Sequence, residues 1–267
     1  MDSSATAFAP NRLRSAAFAP IGDEGRVELV EVRLVQAIST GAFTEGERLP
    51  SENELARHLG VSIDTVREAL GLLRREGLID TRRGRHGGSF VRTTAGAVES
   101  FNTRTLLEMS RLELADLGVQ YEIISAGCAE YACRRATAED LDVVERILQD
   151  ALDLPRDAWR QRITAAQLEL AALSQSVRLT ADHVRLQTEL TPLLALQDAD
   201  LGQRELTHDH VVAQLEATRR GDVDTVTSVV REGIRASVRW LIGYRSDLLS
   251  QGAGDSAPST ASMKRGD

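Results

Sequence analysis

The chain has 267 residues, 42% of them hydrophobic and only 4% aromatic, and a net charge of −8. That length suggests about two domains, and a core rich in Ala, Leu and Val with few aromatics is the composition of a helical protein. No apolar run approaches a membrane span and no signal-peptide core occupies residues 1–25, while Cys128 and Cys133 fall about 140° apart on a helix, which suits reduced thiols and not a bridge or a metal site.

The acidic total is unevenly spread. Arg26 to Arg92 hold 11 Arg against 10 acidic residues, so the remainder carries −9. Arg74 to Arg92 alone hold 6 Arg against 2 acids. A basic patch on an acidic chain is an electrostatic footprint for phosphate. Every cation except Lys264 is an arginine.

In chain order, residues 1–25 are rich in Ala, Ser and Pro and aperiodic, the pattern of a disordered tail. A first helix begins at "RVELVEVRLVQAISTG", with Val27, Val30, Leu34, Ala37 and Ile38 on one face and Gly41 as its stop. In "SENELARHLG", Ser51 and Glu54 form a capping box, and Gly60 ends the helix. Ser62 caps the next helix, "IDTVREALGLLRREG", whose inward stripe is Val66, Leu70 and Leu73 and whose stop is Gly77. "LID" and "SFV" flank a Gly/Arg-rich tip and read as a two-stranded hairpin. From about Ala97 only helical periods remain: a long helix "LELADLGVQYEIISAGCAEYACRRAT", a second capping box at Thr137 and Asp140, a break at Pro155, and helices near 157–175, 180–199, 206–220 and 222–246. The expected fold is mainly α: a winged helix-turn-helix with a small two-stranded hairpin over 26–92, an antiparallel all-helical bundle over 93–247, and tails at 1–25 and 248–267.

A helix-turn-helix sets its second helix into the DNA major groove while the first crosses the backbone. Here the second helix would present Ile63, Asp64, Thr65 and Arg67, and the tip "RRGRHGG" could reach phosphates or the minor groove. Asp64 could accept from a cytosine amine or only cap the helix N-terminus. Small three-helix units also serve as protein–protein modules, so spacing alone leaves both readings open.

The stretch "TGAFTEGERLPSENELARHLGVSIDTVREALGLLRREGLI" followed by "TRRGRHGGSFV" resembles the winged helix-turn-helix of GntR-family transcriptional regulators, over Val27 to Val91. The helical remainder, with "ATAEDL" and "EATRRGD", is similar to the FCD-type ligand-binding domain of the FadR-like subfamily. The resemblance implies DNA-binding positions at Ser51, Asn53, Ser62, Ile63, Asp64, Thr65, Arg67, Arg82, Arg83, Arg85, His86 and Gly87. Asn53 and Ile63 stand where the family usually has DNA-contacting arginines, which implies an altered operator sequence.

Many FadR-like domains hold a divalent ion with an Asp and a His four apart on one helix and two later His. Aligned through "AALSQSVRL", those positions fall on Ile163, Gln167 and Gly233, with His210 near the third, and an arginine common on the first long helix falls near Tyr121. The implied pocket holds no metal and no cofactor, with Tyr121, Gln167, His183 and His210 as candidate effector-binding residues. The implied function is a cytoplasmic DNA-binding regulator, a repressor by family habit. It would act as a homodimer on double-stranded DNA with a pseudopalindromic operator, answer to a small organic effector such as an acyl-CoA or a carboxylate, and have no membrane partner. The alternatives are a metal-dependent carboxylate sensor of the same family, or an effectorless architectural protein. A helical enzyme would need a nucleophile–base constellation, a phosphate loop or paired Cys ligands, and the sequence offers none.

Overall fold

A computed structural model of the chain describes residues 26–39, 42–84, 87–92 and 95–255. The N-terminal head contains α1 (Arg26–Ser39), α2 (Glu52–Leu59), α3 (Ile63–Arg75) and an antiparallel hairpin of β1 (Ile79–Arg82) and β2 (Gly88–Val91). The helical domain follows as α4 (Ala95–Glu108), α5 (Arg111–Arg135), α6 (Ala138–Leu148), α7 (Arg156–Ala172), α8 (Val177–Leu194), α9 (Leu201–Arg219) and α10 (Val223–Asp255), with a short tight helical turn at Ala195–Ala199. Mainly α with one winged hairpin is therefore the architecture. Among the described residues no helix is long and apolar enough to cross a membrane.

Local signals position the head. Ser51 and Glu54 cap α2 reciprocally, and Gly60 ends it at φ +71°, a left-handed conformation that only glycine adopts without strain. The hydroxyl of Ser62 then accepts from the Thr65 amide to start α3. Val66, Leu70 and Leu73 of α3 are buried against Val30, Leu34 and Ile38 of α1. The hairpin pairs Ile79 with Val91 and Arg82 with Gly88. It also gains a third edge that the sequence does not announce. The Gly46 amide donates to the Val91 carbonyl, Val91 donates to Glu47, and Leu49 donates to Ser89. Arg48 thereby lies beside Phe90 at the base of the wing.

The head is not loosely tethered. Its core continues into the helical domain through Phe101 of α4, Leu168 of α7 and Val184 of α8. Arg104 of α4 also pairs with Glu76 and Glu31 of the head.

In the helical domain α5 and α10 form the longest contact, joined by a two-point ion pair from Arg235 to Glu122 at 2.7 and 2.8 Å. A second core, centred on Trp159 and Ile163, lies between α6, α7 and α9. The C-terminal boundary needs correction. The last helix runs to Asp255, past the limit of 247 expected from sequence, because "SDLLSQGAGD" keeps helical geometry through residues that read as a polar tail. The expected tail at 1–25 and the stop at Gly41 lie outside the described residues.

Close approach of α5 and α10 depends on Gly118. A Cβ there would lie 2.7 Å from Val238 Cγ2. Gly118→Val should lower stability by about 1–3 kcal/mol through overpacking. Gly243→Ala, on α10 with nothing within 4 Å of its added carbon, should instead gain up to about 1 kcal/mol of helix propensity. Urea denaturation of both variants is the check, and equal effects at the two glycines would contradict this packing.

Candidate nucleic-acid interface and effector cavity

The face expected to read DNA is pre-arranged by charge pairs. Arg67 on α3 is exposed and held between two carboxylates, Asp64 at 2.9 Å and Glu52 of α2 at 3.0 Å. Asp64 therefore does not cap α3. Ser62 does that, and its hydroxyl also meets the Thr65 hydroxyl at 2.8 Å. Ser51 and Ser62 spend their side chains on helix starts, Thr65 is half-buried, and Asn53 and Ile63 are exposed.

The wing carries the rest. Arg82 lies over the Phe90 ring, 4.4 Å from its centroid, and Arg83 is exposed. Gly87 donates its amide to the Gly84 carbonyl at 2.8 Å. A Cβ at Gly87 would collide with the Arg82 carbonyl, so the tip closes only around glycine. Arg85 and His86 lie outside the described residues. Two cations escaped the sequence reading: Arg48, exposed beside the wing, and Arg74, whose Nε donates to Thr81 on β1 at 2.8 Å. Both come from loop pairing and helix–strand contact, which periodicity does not reveal.

The second site is a cavity of about 70 Å³ within the helical domain. It brings together all four candidate effector residues, Tyr121 from α5, Gln167 from α7, His183 from α8 and His210 from α9. His183 is buried, its Nδ1 lies 3.1 Å from Ser125 Oγ, and its ring is 5.2 Å from that of Tyr121. Burial alone lowers its pKa from 6.5 to about 4, so it is neutral at pH 7. Its Nε2 has no hydrogen-bond partner, and the same holds for Gln197 Oε1 on the cavity wall. Burial also raises Tyr121 far above its usual range and pushes Cys128, another wall residue, up to about 11. Gln167 accepts from Gln187 at 3.2 Å. His210 donates from Nδ1 to the Leu206 carbonyl at 2.7 Å.

These residues do not fit a divalent ion. Among the described residues no Asp or Glu lines the cavity, and Ile163 is buried in the Trp159 core instead of facing it. Gly233 stands against the His210 ring, and a Cβ there would lie 3.2 Å from its Cγ and Cδ2. The glycine thus admits the imidazole and supplies no ligand of its own. Two imidazoles without a carboxylate complete neither a tetrahedral nor an octahedral site.

The residue that sequence reasoning missed is Arg160. It is 3% exposed and lines the cavity, and its Nε donates to Asp198 Oδ2 at 2.7 Å while Nη2 donates to Asp198 Oδ1 and the Leu194 carbonyl. Asp198, 1% exposed, sits on the tight turn after α8. Arg160 and Asp198 also line a second space, about 360 Å³, between the two domains, together with Ile38 and Phe43 of the head and Asn102 of α4. Beside it, Arg156 links Glu99 of α4 at 3.0 Å to the Ala195 carbonyl at 2.7 Å.

Residues 27–91 match the family model described as bacterial regulatory proteins, gntR family, and residues 119–236 match the FCD domain. Together they span well over half of the chain. The HTH-type transcriptional regulator RmpR of Mycobacterium gastri is 29% identical over 258 residues, 94% of this chain and 93% of its own length. The HTH-type transcriptional repressor NanR of Escherichia coli is 26% identical over 239 residues, covering 83% of this chain and 86% of its own. Among solved structures, E. coli McbR/YncC aligns with a TM-score of 0.50 at 19% identity, over 83% of this chain and 99% of that one, a likeness of fold.

The buried imidazole sets a pH dependence. Folded protein keeps His183 neutral down to about pH 4, whereas the unfolded chain protonates it near 6.5. Between those values the unfolded state binds the extra proton, so this contribution is intact above 6.5 and is lost as pH falls toward 4, by about 3 kcal/mol in all. Urea midpoints from pH 7 to 4 should therefore decline more steeply for the native chain than for His183→Gln. Parallel declines would show that His183 does not carry this contribution.

Proposed function

We propose how a chain that belongs to the GntR family of bacterial regulatory proteins and carries an FCD domain, and is thus a DNA-binding transcriptional regulator and not an enzyme, reads its operator and senses its effector. The observation that carries the proposal is Arg160, which lines both the helical cavity and the space under the head, and whose buried partner Asp198 lines the latter. An effector entering beside Tyr121, Gln167, His183 and His210 presses on Arg160. The pair shifts the Ala195–Ala199 turn, and Arg156 passes that shift to α4 through Glu99. In this reading the effector-free protein is a repressor, as NanR is described, and the effector changes the placement of the heads. Effector binding that leaves operator affinity unchanged would contradict the coupling.

On DNA, α3 enters the major groove with Arg67 held ready by Asp64 and Glu52, while Arg48, Arg82 and Arg83 meet phosphates around the wing. Ser51 and Ser62 act through the helix ends that they cap, with their amides toward the backbone. Asn53, Ile63, Asp64, Thr65 and Gly87 shape the contact surface.

Two heads on a pseudopalindrome require two copies, since one module covers only about 600–1,000 Å² of DNA interface. The helical domain offers a seam for this. Leu112, Val119 and Ile123 of α5 are 79%, 54% and 59% exposed at spacings of seven and four, a single apolar stripe on one helix. Light scattering should report a homodimer at micromolar concentration that dissociates in Val119→Glu/Ile123→Glu. A native monomer, free and on DNA, would remove this part of the reading.

Operator binding should depend steeply on salt. With about four arginines per protomer on phosphates, log K should fall against log[salt] with a slope of roughly −7 for the dimer. Arg67→Ala should weaken binding by about 1–3 kcal/mol at low salt without unfolding the head. Gel retardation with upstream DNA measures both. A slope near zero, or an unchanged affinity in folded Arg67→Ala, would mean that another face meets DNA.

A further inference from the structure

We infer that the effector of the helical cavity is a small uncharged molecule bearing hydrogen-bonding groups, and that carboxylates and acyl-CoA are excluded from it. This rests on the reading of the cavity as the effector site, and narrows the acyl-CoA or carboxylate expected from resemblance.

The argument is one of charge. A buried charge is tolerated only when it is paired. Among the described residues, Arg160 is the only arginine or lysine that lines the cavity, and Asp198 pairs with it through two hydrogen bonds with both side chains almost fully buried. Among the described residues no carboxylate lines the wall. The imidazole of His183 stays neutral because charging it would require desolvating the charge. A carboxylate entering this space would therefore add an unpaired negative charge or would have to take Arg160 from Asp198, leaving that aspartate buried and unpaired. A cation would meet no anion at all.

The wall offers neutral partners instead. His183 Nε2 and Gln197 Oε1 are both deeply buried, have no hydrogen-bond partner, and belong to side chains that line the cavity. Unsatisfied buried polar atoms gain the most from a ligand that supplies the missing bond. Gln197 Oε1 needs a donor, and an amide or hydroxyl group provides one while also accepting from its other side. Apolar wall residues such as Leu190, Leu194 and Val230 suit the remaining hydrocarbon.

The test uses matched acid and amide pairs of nearly equal shape: lactate and lactamide, benzoate and benzamide, nicotinate and nicotinamide. Calorimetry on the full-length protein at pH 7.5 should find binding of at least one amide, at least tenfold tighter than its acid. The bound amide should be lost in Val230→Trp, which fills the cavity. In Asp198→Asn, Arg160 is left uncompensated, and preference should move at least tenfold toward the acid. If that variant fails to fold, Gln214→Lys adds a cation to the wall with the ion pair intact, and the same shift is expected. An acid bound more tightly than its amide by the native protein, and lost in Val230→Trp, overturns the uncharged class while the effector cavity stands. Absence of binding by every pair, or binding that survives Val230→Trp, overturns the effector-site reading and this inference with it.

Discussion

The helical domain is organised around one buried ion pair. Arg160 and Asp198 are 38 residues apart in sequence, and both are withdrawn almost wholly from water. Desolvating two charges costs several kcal/mol each, and attraction offsets this only when geometry is good and the remaining donors are used. The guanidinium meets both carboxylate oxygens and also the Leu194 carbonyl. Such a pair adds little net stability against a hydrophobic substitute, but it fixes one arrangement. It locks α7 to the tight turn after α8, and that arrangement sets the wall between the helical cavity and the space beneath the head.

The DNA-reading head was largely legible in the sequence because its determinants are local. Ser51 with Glu54, Ser62, Gly60 and the stripe Val66, Leu70, Leu73 act over three to seven residues, and each has the role that local rules assign to it. Arg48 escaped because its position comes from main-chain pairing of Gly46–Leu49 with β2, across a separation of some forty residues. The electrostatics of α3 were also only half visible. Asp64 with Arg67 is a helix-spaced pair, but Glu52 joins from the preceding helix, so the reading face carries less free positive charge than its arginines suggest.

The helical domain was legible as helices and much less as a site. Tyr121, Gln167, His183 and His210 come from four helices and meet in one cavity, a convergence that resemblance suggested for some and residue chemistry for others. Arg160 gave no warning, since an arginine in "RDAWRQRIT" reads as a solvated face until Asp198 appears across from it. The end of α10 was missed for a different reason. Gly and Ser in "SQGAGD" lower helix propensity, yet the helix persists to Asp255.

The two sites share a mechanical logic that follows from where the charges lie. On the head, cations are exposed and answered only in part by neighbouring carboxylates, which suits a polyanion whose counterions are released on binding. In the helical domain, the arginine at the cavity, Arg160, is paired with a buried carboxylate. A ligand there cannot act by strong electrostatic pull and must act by shape and hydrogen bonding against a wall that has a single settled arrangement. Packed interiors respond to such pressure by moving as units. The unit in contact with Arg160 is the Ala195–Ala199 turn, and Arg156 joins that turn to α4, the helix whose Phe101 is buried in the core of the head. Under the proposed reading, a small neutral ligand would act on the DNA-reading surface along this packed route, with the buried ion pair as its first step.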